Sequence, residues 1–489
     1  MLTLFLILIP FLTGTALFFI PDKAAKKLAI TSSMVSLVIG ILAIMNFDTS
    51  AGVQFRMNFA WIEVLGSRFH VGMDGISLAM VLLSNILSIL ILLSTLKDTY
   101  SNSSRFYAFM LIMQGAMNGV FVAQDLFLYY IFWELSLIPA YFLVLWWGKG
   151  EVVAITFKFF LYTLLGSLFM LGGIIWLSFQ NGLPSTDMET IYALSIPHET
   201  QLYIFLAFMI AYAVKIPIFP FHTWQPDTYT IAPSPVTMFL AGIMLKMGLY
   251  SIIRWVIPVV PFAVYAYGKY VMILACIGIF YASAIALAQK DLKRLFAYSS
   301  IAHVGLITAG IFSTSQIGLS GAIIQMIAHG VNAVGLFYIC QILFRINSTH
   351  EIDRFGGLRL TSPLFSGLYL VILMASIALP LTISFPGEFM LLNAIYATNS
   401  WLALLAGSGV ILGAVYMLLS YQKVMLGEVK NYSATFSDID LMDKLVFIPL
   451  IILVFAIGIY PQVIINLTQT PVNQIINLYQ SEINTFLNK

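Results

Sequence analysis

The stretch Ala-Tyr-Ala-Val-Lys-Ile-Pro-Ile-Phe-Pro-Phe-His, residues 211–222, places a lysine and two prolines inside a long apolar run. A helix needs about 20 apolar residues to cross a bilayer, and the run that begins near residue 202 puts Lys215 at membrane depth. Each proline removes a backbone donor and disfavours helical geometry at the residue before it. The stretch therefore predicts a membrane helix that breaks at Pro217 and Pro220.

The rest of the chain has the composition of a membrane protein. It has 489 residues, of which 60% are hydrophobic and 9% are charged, whereas about 25% of the residues of a soluble domain are charged. So few charges cannot cover a water-facing surface, which excludes a soluble enzyme, a nucleic-acid-binding protein and a disordered chain. We expect an all-α polytopic membrane protein with about 14 transmembrane helices. The predicted spans are residues 2–20, 27–46, 75–96, 106–123, 126–147, 152–178, 202–221, 230–253, 270–288, 295–313, 317–344, 363–398, 400–421 and 444–466.

The distribution of lysine and arginine predicts the orientation, because cations concentrate in short cytoplasmic loops. If the first loop is cytoplasmic, five of the 23 cations lie on the other side, two lie inside spans, and the remaining 16 are cytoplasmic. The five outer residues are Arg56, Arg68, Arg254, Lys269 and Lys489. Since the number of spans is even, both termini are expected on the outer side of the membrane.

Two segments outside the spans have a regular pattern. Residues 53–61 alternate between apolar and polar side chains, which predicts a β-hairpin on the outer face. Apolar residues of the C-terminal tail recur at helical spacing from Val472 to Leu487. This tail is expected to be an amphipathic helix that lies on the membrane or on a neighbouring element.

Six ionisable residues lie at membrane depth, where each costs at least about 2.5–3.5 kcal/mol to insert. They are Glu134, Lys215, Lys246, His303, His329 and Glu388. Pro386 stands two residues before Glu388, so the span 363–398 is also expected to break. Broken backbone survives in a membrane only against protein or water, and such breaks are typical of transporter sites.

A buried row of carboxylates, lysines and histidines has the groups that a proton relay needs. A lysine near a carboxylate switches between holding and releasing a proton when that carboxylate moves, and histidine titrates near neutral pH. The sequence therefore favours proton translocation through these six residues. Lys158, which lies near a span end, is a seventh candidate.

Each of these residues also has a purely structural interpretation. His303 and His329 could join helices by hydrogen bonds, and Lys246 could pair with an acid. Glu134 and Lys215 could form one static ion pair. Glu388 could cap the helix that restarts after Pro386, and the side chain of Lys158 could simply reach the membrane interface.

The spacing of the ionisable residues suggests an internal repeat. Glu134 precedes Lys215 by 81 residues, and His303 precedes Glu388 by 85. We expect two five-helix repeats, residues 106–253 and 270–421, inverted relative to each other because each has an odd number of spans. The N-terminal segment 1–105 and the C-terminal segment 422–489 flank them.

Cofactor chemistry is not expected in this chain. It has two cysteines, Cys276 and Cys340, whereas an iron–sulfur cluster normally takes four. The histidines and acids do not have the spacing of a metal site, and the sequence has no nicotinamide- or flavin-binding pattern. Any redox step must therefore occur elsewhere.

Several motifs resemble the antiporter-like subunits of proton-pumping NADH:quinone oxidoreductase (respiratory complex I). They are Phe-Trp-Glu-Leu-Ser-Leu-Ile-Pro (132–139), Lys-Phe-Phe-Leu-Tyr-Thr (158–163), Lys-Ile-Pro-Ile-Phe-Pro-Phe-His-Thr-Trp-Gln-Pro-Asp-Thr (215–228), Ala-Pro-Ser-Pro-Val (232–236) and Asp-Leu-Lys-Arg-Leu-Phe-Ala-Tyr-Ser-Ser-Ile-Ala-His-Val-Gly (291–305). The resemblance extends through all the predicted spans. Glu388 is typical of the M (chain 4) branch, since the L and N branches carry lysine at that position.

The resemblance implies fourteen spans, two inverted five-helix repeats and broken seventh and twelfth helices. It implies that Glu134 is the fifth-helix carboxylate, Lys215 its partner and Lys246 the connecting lysine. His303 and His329 would continue the relay, and Glu388 would serve the outer exit. In place of the family's glycine-richer break, residues 382–389 contain Pro386.

The resemblance also implies partners and cofactors. NADH, FMN, iron–sulfur clusters and quinone would be bound by other subunits, with L-type and N-type subunits and membrane lipid as neighbours and no nucleic acid. Two other functions stay open. One is the D-type subunit of a multi-subunit sodium/proton antiporter, and the other is a scaffold subunit that translocates nothing.

Overall fold

The computed structural model describes residues 1–180, 182–434 and 436–488. Its helices are α1 (Leu2–Leu17), α2 (Asp22–Met45), α3 (Gly75–Ser94), α4 (Ser103–Val122), α5 (Leu126–Trp147), α6 (Val152–Ser178), α7 (Met188–Tyr192), α8 (His198–Lys215), α9 (Trp224–Ile231), α10 (Ser234–Phe239), α11 (Leu245–Ser251), α12 (Pro261–Leu287), α13 (Leu292–Ile311), α14 (Gln316–Asn347), α15 (Leu358–Thr361), α16 (Pro363–Ser376), α17 (Ser384–Thr398), α18 (Ser400–Met425), α19 (Asn431–Ala434), α20 (Leu441–Ile459) and α21 (Gln462–Leu487). Two strands, β1 (Gln54–Ile62) and β2 (Ser67–Met73), form a hairpin, and short 3₁₀ turns cover Glu63–Leu65 and Ile352–Arg354.

The architecture is that of a helical membrane protein, as the composition predicts. Within the described segments, nine helices are long and apolar enough to cross a membrane, counting Ser234–Val256 as one. The other five predicted spans coincide with helices that are shorter, broken or richer in polar residues. These are α1, α4, α8, α13 and the pair α16 and α17.

The centre of the molecule is a helical rod, Ser234–Val256, whose most apolar window is entirely buried. Within the rod, α10 and α11 are separated by a π-helical turn at Leu240–Met244, and a second π turn follows at Ile252–Val256. Helices α14 and α3 pack against it. π turns occur frequently at functional sites, and the first one directly precedes Lys246.

The first predicted helix break is confirmed. Helix α8 ends at Lys215, and the chain resumes as helix α9 at Trp224. Pro217 and Pro220 lie between the two half-helices, as expected from the donors they lack. The predicted span 202–221 is therefore one half-helix followed by an irregular segment.

The second break is also present, but its predicted position is wrong. Helix α16 ends at Ser376 and α17 begins at Ser384, so the break surrounds Pro380 instead of Pro386. Ala378 and Leu381 adopt positive φ angles of 57° and 74°, and such angles cannot continue a helix. Pro386 lies in the first turn of α17, where a missing N–H costs little.

The β-hairpin is confirmed, and Asp125 holds it against the helices. β1 and β2 pair antiparallel, and the opposed rings of Phe59 and Phe69 stack with centroids 5.0 Å apart. Asp125 caps α5 and also accepts hydrogen bonds from the Ser67 hydroxyl at 2.9 Å and the Thr186 hydroxyl at 2.7 Å. This one carboxylate thus fastens the hairpin to the start of α5.

The C-terminal tail forms the predicted amphipathic helix, α21, and it packs on its own chain. Residues Val472, Ile475 and Ile476 are buried on its apolar face, and α21 contacts α3, α12 and α14. The approach to α3 is close, since a Cβ on Gly75 would lie 1.8 Å from the carbonyl oxygen of Leu467. The terminal cation Lys489 is outside the described residues.

Arg254 does not belong to an outer loop, contrary to the charge analysis. It lies in the second π turn of the rod, and its guanidinium is 2.6 Å from the carboxylate of Asp74. Both side chains are about 5% exposed. The loop prediction was wrong because the helix continues to Val256, beyond the predicted span end at 253.

Candidate functional site

Lys246 and His329 are in direct contact at the centre of the molecule. The Nζ of Lys246 on α11 lies 2.6 Å from Nδ1 of His329 on α14 and donates a hydrogen bond to the Ala241 carbonyl at 2.5 Å. Ala241 belongs to the first π turn, where the regular backbone pairing of an α-helix is interrupted. Both side chains are buried, so the nearest polar groups to the ammonium are a neutral carbonyl and an imidazole.

A second pair, His303 and Glu388, lies farther along the same line. Nδ1 of His303 on α13 is 3.2 Å from Oε1 of Glu388 on α17. Gln325 on α14 donates a hydrogen bond to the same oxygen at 2.9 Å. Glu388 is in the second half of the broken helix, close to its N-terminus, where the helix dipole favours a carboxylate.

A polar cavity connects the two pairs. The rings of His303 and His329 have centroids 6.1 Å apart. Both rings line a cavity with a volume of about 20 Å³. About 10–15 Å³ is enough for one water. Buried oxygens of Gln325 and Asn332 at this cavity have no protein partner, as expected where an ordered water completes the hydrogen bonding.

A second cavity of similar size continues the line. It is also lined by His303 and Ser376, and it extends past Glu388 to Tyr416 on α18. The four ionisable residues and two cavities therefore form one connected series. Its order is Lys246, His329, His303 and Glu388, so His329 and not His303 is the neighbour of Lys246.

Glu134 and Lys215 do not form the closed ion pair of the structural interpretation. Among the described residues no Lys215–Glu134 contact falls within 4.0 Å, and Nζ of Lys215 lies 5.1 Å from the ring centroid of Trp133. Nζ of Lys215 and Oε1 of Glu134 are both buried without a hydrogen-bond partner. Such orphaned charges are costly unless water is present, so this arrangement also calls for hydration.

The break after Lys215 lies next to the rod that carries Lys246. Ile216, the residue after Lys215, packs on Gly248, where an added Cβ would lie 2.5 Å from Cγ1 of Ile216. Only glycine permits this approach. Lys215 and Lys246 thus sit on directly packed segments, although no hydrogen bond links their described side chains.

Lys158 is separate from the series. Its ammonium donates to the Thr223 carbonyl at 2.9 Å and pairs with Asp227 at 3.1 Å. Asp227 also pairs with Arg294 at 3.0 Å. These contacts hold the start of α9, so the observed position of Lys158 fits support of the broken helix better than membership of the relay line.

Several polar residues of the site were not singled out from the sequence. Gln325, Asn332 and Ser384 meet at the central cavity, with Asn332 donating to Ser384 at 2.9 Å. Gln325 precedes His329 by four residues and Asn332 follows it by three, so all three share one face of α14. That spacing could have identified Gln325 and Asn332 from the sequence.

Known proteins with similar sequences identify the family of this chain. A family model described as NADH:quinone oxidoreductase/Mrp antiporter matches residues 123–459. NADH-quinone oxidoreductase subunit M of Rhodobacter capsulatus is 37% identical over 482 residues, which cover 95% of this chain and 93% of that protein. The chain belongs to this family. The NADH:quinone oxidoreductase resemblance predicted from the motifs is thereby confirmed.

A plant relative and two solved structures are also similar to this chain. NADH-ubiquinone oxidoreductase chain 4 of Arabidopsis thaliana is 35% identical, covering 96% of each chain. A chain of respiratory complex I from Thermus thermophilus matches with a TM-score of 0.90 at 28% identity, over 98% of this chain and all of that one. A chain of the Mrp complex from Dietzia has a TM-score of 0.85 at 17% identity over 98% of each chain, which shows a shared fold alone.

Proposed function

We propose that the chain is the M-type antiporter-like subunit of a proton-translocating NADH:quinone oxidoreductase. The observation that carries this proposal is the series of contacts from Lys246 through His329 and His303 to Glu388, with water-sized cavities along it. The similarity to relatives named subunit M supports the assignment to this complex.

The contact geometry permits a stepwise transfer of a proton. Protonated Lys246 gives its proton to Nδ1 of neutral His329, which leaves a neutral amine and an imidazolium. His329 then releases a proton from Nε2 to water in the central cavity, and the water passes one to His303. His303 gives its Nδ1 proton to the carboxylate of Glu388. Each step moves one proton between groups in contact or bridged by one water.

Glu134 and Lys215 are proposed to couple this transfer to the rest of the complex. Nζ of Lys215 and Oε1 of Glu134 are buried without a hydrogen-bond partner, so a change in the charge or position of Glu134 alters the proton affinity of Lys215. The irregular segment after Lys215 lets that side chain move without unwinding α9. Lys158, through Asp227, holds α9 in place during this motion.

The finer architecture is proposed from the same family. The fourteen spans would form two inverted repeats, residues 106–253 and 270–421, with α8–α9 as the broken seventh helix and α16–α17 as the broken twelfth. Both termini would face the periplasm of a bacterial inner membrane. L-type and N-type subunits and lipid would be neighbours, and other chains would bind NADH, FMN, iron–sulfur clusters and quinone.

The test is proton pumping by the assembled complex in sealed vesicles. Lys215→Ala is expected to abolish NADH-driven acidification while the complex still assembles, because the coupling charge is removed. Lys423→Ala, an exposed cation at the end of α18, is the matched control and should pump normally. Normal pumping by Lys215→Ala would support a scaffold, and sodium-driven proton exchange without NADH would support the antiporter alternative.

A further inference from the structure

A large cavity at the cation-rich end of the helices is unused by the relay. It has a volume of about 770 Å³ and lies where the α3–α4 and α5–α6 loops meet the ends of α9 and α14 and the start of α13. Its charged lining residues are Lys97, Asp98, Lys149, Lys293 and Arg345. We call this cavity the cationic vestibule. Four cations and one acid therefore line the cavity.

Two of the four cations are paired with carboxylates. Lys97 pairs with Asp440 and Asp443, each at 2.6 Å. Arg345 pairs with Asp98 at 3.0 Å and with Asp443 at 3.1 Å. Through these ion pairs, Lys97 and Arg345 join the α3–α4 loop to α14 and α20.

The other two cations have no carboxylate partner among the described residues. Lys293 is 2% exposed and donates to the Ala232 carbonyl, with the Thr230 carbonyl at 3.5 Å. Lys149 is exposed, and its ammonium lies 4.2 Å from the ring centroid of Phe344. Burial together with these two lysines lowers the pKa of His350 to about 3, so His350 adds no charge. The four cations and the carboxylates Asp98, Asp440 and Asp443 together leave about one net positive charge, at the wall that carries Lys149 and Lys293.

The rim of the vestibule is built like a membrane interface. Trp146 lines the cavity and is 47% exposed, and its ring packs on Phe109 and Phe142. Trp147 donates its indole N–H to the Ser101 carbonyl at 2.8 Å. Tryptophan rings of this kind gather at the level of lipid headgroups, which places the mouth of the vestibule where headgroups lie.

We propose that the cationic vestibule binds the phosphate group of an acidic phospholipid, with Lys149 and Lys293 as its cationic ligands. Basic cavities between helices at this level suit anionic headgroups. The occupant is a lipid and not a soluble anion, because the aromatic rim provides an apolar surface for the glycerol and the upper acyl chains. The proposal is independent of the proton relay.

The test is lipid retention by the full chain within its purified membrane complex. The complex is placed in bilayer discs of phosphatidylcholine containing a minor fraction of phosphatidylglycerol, extracted into detergent and analysed by native mass spectrometry. Retained phosphatidylglycerol is expected on the wild type. Loss of one lysine should weaken retention about fivefold, and Lys149→Gln/Lys293→Gln about thirtyfold.

Controls make the outcome decisive. Lys423→Gln removes a cation that does not line the vestibule and should retain phosphatidylglycerol like the wild type. Lys149→Gln alone, at an exposed position, keeps the test valid if the buried Lys293 proves necessary for folding. Equal retention by Lys149→Gln and the wild type overturns the proposal. Displacement of the lipid by inorganic phosphate alone, or by an acidic segment of another subunit, overturns it as well.

Discussion

Replacement of Lys246 by arginine separates the transfer of a proton from the presence of a positive charge. Arginine keeps the charge and can still donate to His329, which lies 2.6 Å from Nζ, and to the Ala241 carbonyl. It cannot give up its proton, because a guanidinium stays protonated in proteins. If Lys246 carries the proton, Lys246→Arg must therefore block the series at its first contact.

The size of the effect follows from the two reference pKa values. Arginine lies about 2–3 units above lysine, and burial in the rod acts on both side chains in the same direction. The deprotonated fraction therefore falls about 100- to 1,000-fold, and the proton-transfer rate through this position falls with it.

The assay is the ratio of protons moved to NADH oxidised in sealed vesicles, with assembly checked by co-purification. Lys246→Arg and Lys246→Gln should give the same low ratio, although only the first keeps the charge. Lys423→Arg is the control and should give the wild-type ratio. A wild-type ratio for Lys246→Arg would refute the reasoning, because the residue would then act through its charge alone.

Further predictions concern stability and pH. Asp74→Asn keeps the α3 cap but leaves Arg254 buried without its anion, so denaturant unfolding in detergent should show a loss of about 3–5 kcal/mol, most of it regained in Asp74→Asn/Arg254→Met. Gly248→Ala should lower the unfolding free energy by about 1–3 kcal/mol through its clash with Ile216, and Ile216→Ala should relieve it; an unchanged midpoint would contradict the packing. The folded pKa of His350 is about 3 and its unfolded value about 6.5, so the unfolded chain binds more protons between these values and stability falls as pH drops below about 6.5. His350→Leu should flatten that decline in thermal melts, and an identical slope would contradict the burial of this ring.

The helical class and the six ionisable residues at membrane depth were predictable because inserting a charge into a bilayer is so costly that each one stands out. The first break was predictable for a similar reason, since Pro217 and Pro220 follow Lys215 directly. The second was misplaced because the span contains two prolines. Pro380 and Pro386 are both compatible with a break, and only tertiary packing selects between them.

Partner choice within the site was harder to predict. The sequence identifies both histidines, but it does not indicate their order in the series from Lys246 to Glu388. That order depends on how α13 and α14 face the rod. Arg254 was counted among the cations outside the spans because its partner, Asp74, lies 180 residues earlier in the chain. Pairings over such separations are set by packing and leave no local pattern. Gln325 and Asn332, by contrast, share one face of α14 with His329 and were predictable from the sequence.

The contact between α21 and α3 also constrains how the protein is made. The carbonyl of Leu467 lies against Gly75 at the first turn of α3, so this contact forms only after the ribosome has delivered nearly the whole polypeptide. A translation product that stops before α21 lacks the helix that contacts α3, α12 and α14, together with the apolar face that buries Val472, Ile475 and Ile476.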